Sequence, residues 1–347
     1  MILYLKSSIS ISAYTGCLIG CKYCILSTCR ENNKIWKVID ENELINNLIN
    51  YKYFVKDFTP ITINNTSDPF LNNILKESTF KLLSLIEGKG WKNPLILITK
   101  GYLTDKDIEI LSKFNLNIYV FYTLSGLSET MENRNLHTQI DTIKKLSNCK
   151  NIKLIHYWRP VIEGINSDNK TIESVSKLAT KYFKASIVSG IRINSHIKDM
   201  FEKENIPMLI SPDAEHKVIS NDTFDKIYNQ CKQINSDYSI FKKTSCCISY
   251  FENDIDYNGY ALSKKICSQK CPNYNICSKA IYPSTSKIDN VLHNFKINSK
   301  YSIEKDVLHI QTTLSQEDCS ALRHNLKVKI VPEKLIKSNS EDELSKW

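Results

Sequence analysis

The stretch Cys17-Leu-Ile-Gly-Cys21-Lys-Tyr-Cys24 places three cysteines within eight residues of a 347-residue chain. This C-x3-C-x2-C spacing allows one loop to wrap a single cuboidal iron-sulfur cluster. Clusters that only carry electrons are normally held by four cysteines. A loop with three thiolates leaves one iron without a protein ligand, so the cysteine loop (Cys17 to Cys24) predicts a 4Fe-4S cluster with an open iron for chemistry.

Two simpler interpretations of the cysteine loop stay open. A structural zinc ion needs four ligands in tetrahedral geometry, and its cysteines usually come as C-x2-C pairs separated by a longer stretch. Disulfides require an oxidising compartment, and three cysteines leave one unpaired. The spacing favours the iron-sulfur cluster over both.

The composition fits one large domain with a smaller module, since 42% of the residues are apolar. No window approaches the roughly 20 apolar residues that cross a membrane, and the opening Met1-Ile-Leu-Tyr-Leu5 lacks the order of a secretory signal. We expect a cytoplasmic protein with no membrane partner, whose twelve cysteines serve metal ligation. The net charge of +9 is dispersed, which indicates a solvated surface and leaves a nucleic-acid partner open.

Short apolar runs alternate with helical patterns along the first 200 residues, as in repeated βα units with a parallel sheet. The predicted strands are Ser8 to Ala13, Pro60 to Asn64, Leu95 to Thr99, Asn117 to Leu124, Lys153 to Trp158 and Ala185 to Ile193. The predicted helices are Asp40 to Tyr53, Asn72 to Glu87, Thr104 to Phe114, Leu136 to Ser147 and Thr171 to Tyr182. These elements predict the α/β class and a partial (β/α)6 barrel of the TIM type. The cysteine loop follows the first strand, at the edge where barrel enzymes place their chemistry.

The pattern changes past residue 200, which predicts three units. They are a barrel core at 1–200, a Cys-rich extension at 201–280 and a small α+β tail at 281–347. In the tail we predict a strand from Val307 to Thr312, a helix near Gln316 to Asn325 and a strand from Lys327 to Val331, followed by a frayed end.

The cysteine loop and the predicted strand ends resemble the radical S-adenosylmethionine (SAM) enzymes, down to the aromatic Tyr23 before the last cysteine. Three segments are similar to the spore photoproduct lyase-like branch of that family, and the likeness spans roughly residues 8 to 195. They are Thr66-Ser67-Asp68-Pro69-Phe70, Ile98-Thr99-Lys100 and Arg159-Pro160-Val161-Ile162-Glu163-Gly164-Ile165-Asn166. The resemblance implies that the amino and carboxylate groups of SAM chelate the open iron, and that reduction splits SAM into methionine and a 5'-deoxyadenosyl radical.

Polar side chains follow four successive predicted strands, and the resemblance assigns them to SAM. It implies Ser67 and Asp68 near the amino group or ribose, Lys100 near the carboxylate, and Thr123 or Ser125 near the ribose and methionine parts. The cofactor-binding residues predicted in this way are Tyr23, Ser67, Asp68, Lys100, Thr123, Ser125 and Arg159. Each also has a structural interpretation, since Asn-Thr-Ser-Asp-Pro is good turn chemistry and an arginine at a strand end can pair with a surface carboxylate.

One position departs from the lyase branch. The lyase carries a cysteine two residues before the serine of its Thr-Ser-Asp segment, and that thiol returns a hydrogen atom to the repaired thymine. This chain has Asn65 there, and no cysteine lies between Cys29 and Cys149. The resemblance therefore supports SAM cleavage and not the substrate of the lyase.

A C-terminal cysteine group lies within 32 residues and consists of Cys246, Cys247, Cys267, Cys271 and Cys277. It predicts a second metal centre, either another 4Fe-4S cluster or zinc, and uncoordinated thiols stay open. Adjacent residues rarely both ligate one ion, so we expect only one of the first two to take part. The predicted ligands are Cys247, Cys267, Cys271 and Cys277.

These features predict a radical SAM enzyme that abstracts a hydrogen atom from a substrate and receives its electron from a reductant such as flavodoxin or ferredoxin. A peptide or protein substrate is the first expectation, because of the predicted second centre. Nucleic-acid modification or repair is the alternative, because of the lyase-like strands and the basic charge. A non-catalytic iron-sulfur or zinc-dependent binding protein is the remaining alternative.

Overall fold

The computed structural model describes residues 1–24, 34–203, 205, 219–263 and 269–336. Its largest element is an eight-stranded sheet in which seven strands run parallel and β1 pairs antiparallel with β2. In order across the sheet the strands are β1 (Ile2–Tyr4), β2 (Ile9–Ile11), β5 (Ile61–Ile63), β6 (Leu95–Thr99), β7 (Ile118–Thr123), β8 (Ile152–Val161), β9 (Ala185–Gly190) and β10 (Ser239–Phe241). A short pair, β3 (Tyr14–Thr15) and β4 (Trp36–Lys37), stands apart from it.

The helices begin where polar side chains can accept the first free backbone N–H groups. Asp40, Asn72, Thr104, Asn135 and Asp168 each cap a helix in this way. The first eight helices are α1 (Glu41–Ile49), α2 (Asn73–Gly88), α3 (Asp105–Lys113), α4 (Glu129–Glu132), α5 (Leu136–Ser147), α6 (Asn169–Tyr182), α7 (Ser195–Lys203) and α8 (Asn221–Ile234). They are followed by α9 (Thr244–Phe251), α10 (Tyr260–Ser263), α11 (Tyr274–Cys277), α12 (Thr285–Asn294) and α13 (Gln316–Leu326). Within the described ranges, no helix combines the length and apolarity that a membrane crossing demands.

Both faces of the large sheet are buried, as expected for parallel strands. On β7, Val120 and Tyr122 face one side and pack with residues of α2, α3 and α5. Tyr119 and Phe121 face the other side, where they pack with α9 and the strands beside it. The sheet therefore has α2, α3 and α5 on one side and α9 on the other.

All six strands predicted from the sequence are present, as β2 and β5 to β9. The sheet contains a seventh parallel strand, β10, which pairs with β9. The count of six was therefore one short, because the apolar residues of β10, Ile240 and Phe241, do not alternate with polar residues and are followed by two lysines. Since β10 and α9 lie past residue 200, part of the predicted Cys-rich extension completes the sheet.

The C-terminal residues form a three-stranded sheet of β11 (Tyr301–Glu304), β12 (Val307–Ser315) and β13 (Lys329–Ile336) with α13. The predicted strand, helix and strand of the tail are confirmed, and its predicted frayed end lies outside the described residues. His324 attaches α13 to the large sheet, because its Nε2 donates to the Lys6 carbonyl (2.9 Å) and its Nδ1 accepts from the Tyr4 hydroxyl (2.9 Å). Burial lowers the pKa of His324 to about 3, so the ring is neutral at pH 7.

Candidate functional site

The cysteine loop starts directly after β3, and β4 closes its base. Tyr14 pairs with Lys37 and Thr15 with Trp36. Gly16 has a φ of +87°, and a Cβ there would lie 2.0 Å from the Lys34 carbonyl oxygen. Only glycine fits at this position, so the chain enters the loop along a fixed path.

The three cysteines of the loop share one small apolar cluster. Cys17 and Cys21 are buried and Cys24 is half-buried, and Tyr23 and Leu71 pack against them. The Cys24 amide donates to the Cys21 carbonyl at 3.1 Å. Among the described residues, no three His, Cys, Asp or Glu side chains are arranged to hold a single metal ion. A cuboidal cluster takes each thiolate at a different iron and does not need that convergence.

Helix α4 and the residue after it hold the cysteine loop by three hydrogen bonds. They join the Lys22 amide to the Met131 carbonyl (3.0 Å), the Asn133 side-chain amide to the Ile19 carbonyl (2.8 Å) and Cys21 Sγ to the Glu132 carbonyl (3.5 Å). Asn133 has a φ of 50°, in the left-handed region that asparagine tolerates better than most residues. We call this contact the α4 clamp.

Lys100 follows β6 and lies buried beside the cysteine loop. Its Nζ donates to Glu132 Oε1 at 2.8 Å and to the Tyr23 hydroxyl, and it lies 4.9 Å from the centroid of the Tyr23 ring. The Tyr23 hydroxyl also donates to Glu132. Burial alone would lower the pKa of Lys100, but the facing Tyr23 and Glu132 raise it well above its ordinary value. Lys100 is therefore a buried cation whose charge Glu132 already balances.

Asp68 fixes the end of β6 and thereby the position of Lys100. Its Oδ1 accepts from the Thr99 hydroxyl (2.6 Å) and the Phe70 amide (2.9 Å), and its Oδ2 accepts from the Lys100 amide (2.8 Å). Both carboxylate oxygens are thus used within the protein. The geometry supports a structural role for Asp68, and its predicted contact with SAM stays a prediction.

Ser67 differs from its neighbour, because its hydroxyl oxygen is buried and has no hydrogen-bond partner among the described residues. Two guanidinium nitrogens of Arg134, which follows the α4 clamp, are also buried and have no hydrogen-bond partner among the described residues. A buried polar atom without a partner costs free energy. These atoms therefore retain hydrogen-bonding capacity that a ligand can use.

Three predicted strand-end residues remain, Ser125, Thr123 and Arg159. The Ser125 hydroxyl accepts from the Leu127 amide (3.1 Å), which gives it a place in a turn. Thr123 is buried at the end of β7. Arg159 is half-buried, donates to the Tyr157 hydroxyl and, within the described part of the chain, forms no ion pair.

The second metal centre predicted for the C-terminal cysteine group stays a prediction. Cys271 and Cys277 lie close enough to each other and to Asp256 for their charges to interact. Cys247 is fully buried in the core between α9 and the sheet, and burial raises the pKa of its thiol well above the ordinary value. Cys246, its neighbour, is half-buried, packs against the same apolar cluster and donates to Asp256 Oδ1 at 3.7 Å. Cys271 is half-buried and Cys277 is buried. The full burial of Cys247 among apolar side chains favours a packing role, and its role as a ligand stays a prediction. Cys267 lies outside the described residues.

Sequence reasoning missed Glu132 altogether. It lies in a four-residue helix without a side-chain cap and 32 positions after its partner Lys100. No local pattern connects a lysine at a strand end with a glutamate in a following turn. Only the parallel order of β6 and β7 could have suggested that the two segments meet.

No protein-family model and no curated protein sequence matches the chain. A spore photoproduct lyase double mutant, with bound AdoMet and dinucleoside spore photoproduct, matches with a TM-score of 0.54 and 15% identity over 69% of this chain and 78% of that chain. The lyase complexed with dinucleoside spore photoproduct matches with a TM-score of 0.51 and 15% identity over 67% and 75%. The chain has the fold of spore photoproduct lyase. This confirms the predicted resemblance to that branch of radical SAM proteins at the level of the fold.

The residues of the cysteine loop and the nearby Ser67 suit a cluster and SAM. Cys17, Cys21 and Cys24 lie in one apolar cluster, in keeping with thiolate ligands that are shielded from water. The orphaned hydroxyl of Ser67 suits a ligand with polar atoms.

Proposed function

We propose that the chain is a radical SAM enzyme that binds a 4Fe-4S cluster through Cys17, Cys21 and Cys24. The observation that carries the proposal is the position of the cysteine loop. The loop follows β3 and lies beside the ends of β5 and β6. The fold is shared with a lyase structure that has AdoMet bound. The cluster supplies the electron that cleaves SAM when both are present.

The protein groups around the cysteine loop have separate roles in this proposal. The α4 clamp fixes the loop, while Glu132 and Tyr23 fix the ammonium group of Lys100 next to it. The remaining hydrogen-bonding capacity of the Lys100 ammonium serves the carboxylate of SAM. The Ser67 hydroxyl bonds a polar atom of SAM, since it has no partner among the described residues.

For the substrate we favour a nucleic acid over a peptide. Two of the lyase structures with this fold carry dinucleoside spore photoproduct, and the net charge of +9 is compatible with a polyanionic partner. The peptide prediction depended on a second metal centre, and Cys247 lies in the apolar core. A small reductant such as flavodoxin or ferredoxin remains our proposal for the electron source.

The chemistry on the substrate differs from that of the lyase. Asn65 occupies the position of the thiol, and its Oδ1 accepts from the Ser10 hydroxyl at 3.1 Å. An amide held in this way does not return a hydrogen atom to a substrate radical. We propose a modification of the substrate that does not need a thiol at this position.

Anaerobic reconstitution with iron and sulfide, followed by SAM and dithionite, tests the proposed function. We expect about four irons per chain held by the loop, and formation of 5'-deoxyadenosine and methionine. Cys21→Ala should abolish both products, whereas the buried and remote Cys231→Ala should keep them. A fully loaded protein that makes no 5'-deoxyadenosine would favour the non-catalytic iron-sulfur alternative.

A further inference from the structure

Three cations from separate segments gather around Tyr260. Lys6 lies between β1 and β2, Lys243 directly precedes α9, and Arg323 lies in α13. The Nζ atoms of Lys6 and Lys243 are each 5.9 Å from the centroid of the Tyr260 ring. Arg323 is close enough for its charge to act on both Lys6 and Tyr260. We call these three cations the basic cluster.

The backbone beneath the basic cluster is fixed. The Lys6 carbonyl accepts from His324 Nε2 at 2.9 Å, next to Arg323 in α13. The Ser7 carbonyl accepts from the Tyr257 hydroxyl at 2.8 Å. The cations are therefore brought together by the fold and not by chance contacts of long surface side chains.

The nearby carboxylate does not neutralise this charge. Asp256 Oδ2 accepts from the amides of Asn258 and Tyr260, each at 3.1 Å, and its Oδ1 accepts from Cys246 Sγ. Asp256 is buried, with 1% of its surface exposed. In the described ranges, no ion pair includes Lys6, Lys243 or Arg323.

The pKa directions agree with an uncompensated cluster. Burial, followed by the charges of Arg323 and Lys243, lowers the pKa of Lys6. Burial likewise lowers the pKa of Lys243, with Cys246 and Asp256 opposing the shift and Lys242 and Arg159 adding to it. Three cations that share one distant, buried carboxylate and form no ion pair within the described ranges keep a net positive charge, which attracts an anion.

We propose that Lys6, Lys243 and Arg323 form a binding site for a phosphate group, with the phosphodiester backbone of a nucleic acid as its occupant. The occupant rests on the proposed substrate class. Lys6 is exposed and Lys243 and Arg323 are half-buried, so a ligand can reach the ammonium and guanidinium groups. The charge of Arg159, at the end of β8, also acts on Lys243, so positive charge continues from the basic cluster towards the strand ends. An aromatic ring between cations is a common arrangement for a single-stranded nucleic acid.

Fluorescence anisotropy with a labelled single-stranded oligonucleotide tests the proposal on the full-length reconstituted protein. The site variant is Lys6→Gln/Lys243→Gln/Arg323→Gln. The control is Lys89→Gln/Lys106→Gln/Lys150→Gln, which removes the same charge from exposed positions. At low salt we expect about a tenfold or greater loss of affinity in the site variant only, and a slope of log K against log salt that is smaller by about 2.

Equal affinities for the two triple variants would overturn the proposal, since only net charge would then matter. The single variant Lys6→Gln, at an exposed position, keeps the test valid if the site triple fails to fold. Its slope should change by about one third as much as that of the triple variant. Competition separates the sources of phosphate. Displacement of the oligonucleotide by excess inorganic phosphate in the wild type, with no such effect in the site variant, supports the site.

Binding of phosphate or a nucleoside monophosphate without any binding of the oligonucleotide would overturn the nucleic-acid occupant. Formation of 5'-deoxyadenosine without substrate is measured in parallel. Because that reaction does not involve the basic cluster, its failure with intact oligonucleotide binding would count against the proposed function alone. A wild-type protein that cleaves SAM but does not bind the oligonucleotide would count against the phosphate site alone.

Discussion

The cysteine loop and the C-terminal cysteine group both have closely spaced cysteines in the sequence, yet the surroundings of these cysteines differ in the structure. In the loop, the cysteines share one apolar cluster that is held by the α4 clamp and by the buried pair of Lys100 and Glu132. In the C-terminal group, Cys247 faces the core and Cys246 faces Asp256. The two groups therefore differ in how the surrounding residues hold the segment that carries the cysteines.

Removal of each set of cysteines should give the largest difference between the two regions. Replacing Cys17, Cys21 and Cys24 with alanine should eliminate cluster iron, since these are the three protein ligands that we propose. Replacing Cys246, Cys271 and Cys277 should leave about four irons per chain. Iron and sulfide analysis after anaerobic reconstitution measures both. Equal loss of iron in the two variants would show that the C-terminal group shares the cluster.

Glu132→Gln should strongly destabilise the protein around the cysteine loop, because it leaves the buried ammonium of Lys100 without a charge partner. The loss of a partner in a buried pair typically costs about 3 to 5 kcal/mol. Urea unfolding of the cluster-free protein measures the change. The control Glu109→Gln removes an exposed partner of Lys113 and should have little effect. A similar result for both variants would mean that Lys100 is solvated.

Cys247→Ala tests the C-terminal cysteine group. If Cys247 only fills the core between α9 and the sheet, its loss should lower the free energy of unfolding by about 1 to 2 kcal/mol. The iron content should not change. The half-buried Cys271 gives a matched control, with a smaller effect of Cys271→Ala on stability. Loss of iron in Cys247→Ala would contradict the assignment of this residue to the core.

Asn133→Ala should have the smallest effect. It removes the hydrogen bond to the Ile19 carbonyl and places a less tolerant residue at a φ of 50°. Together these changes should weaken the α4 clamp by about 1 kcal/mol or slightly more. The rate of iron release to a chelator should rise by about fivefold or more. Asn133→Gly restores the backbone tolerance and should release iron at an intermediate rate, and an unchanged rate in Asn133→Ala would argue against the clamp.

Local patterns were sufficient to predict the strands and the cysteine loop. The apolar run of β7 and the spacing of Cys17, Cys21 and Cys24 are properties of contiguous residues. The strand β10 was missed because its apolar residues Ile240 and Phe241 are adjacent and do not alternate with polar residues, as those of β2 and β5 do. The tail was predicted because β12 and α13 are long enough to show their patterns.

The partners of the predicted site residues could not be predicted. Lys100 was identified at a strand end, but its partner Glu132 depends on how α4 folds back over the loop. Asp68 and Ser67 are adjacent in the sequence, and only the three-dimensional hydrogen bonds separate a structural carboxylate from an orphaned hydroxyl. The helical phase of α9 likewise decides which of two neighbouring cysteines is buried.

The central claim is that the cysteine loop holds a cluster with an iron that SAM can bind. Electron paramagnetic resonance of the reduced protein, with and without SAM, tests this claim most directly, in the variant that lacks Cys246, Cys271 and Cys277. The account predicts a single 4Fe-4S signal whose g values shift when SAM is added. A signal that SAM leaves unchanged, in a protein with about four irons per chain, would contradict it.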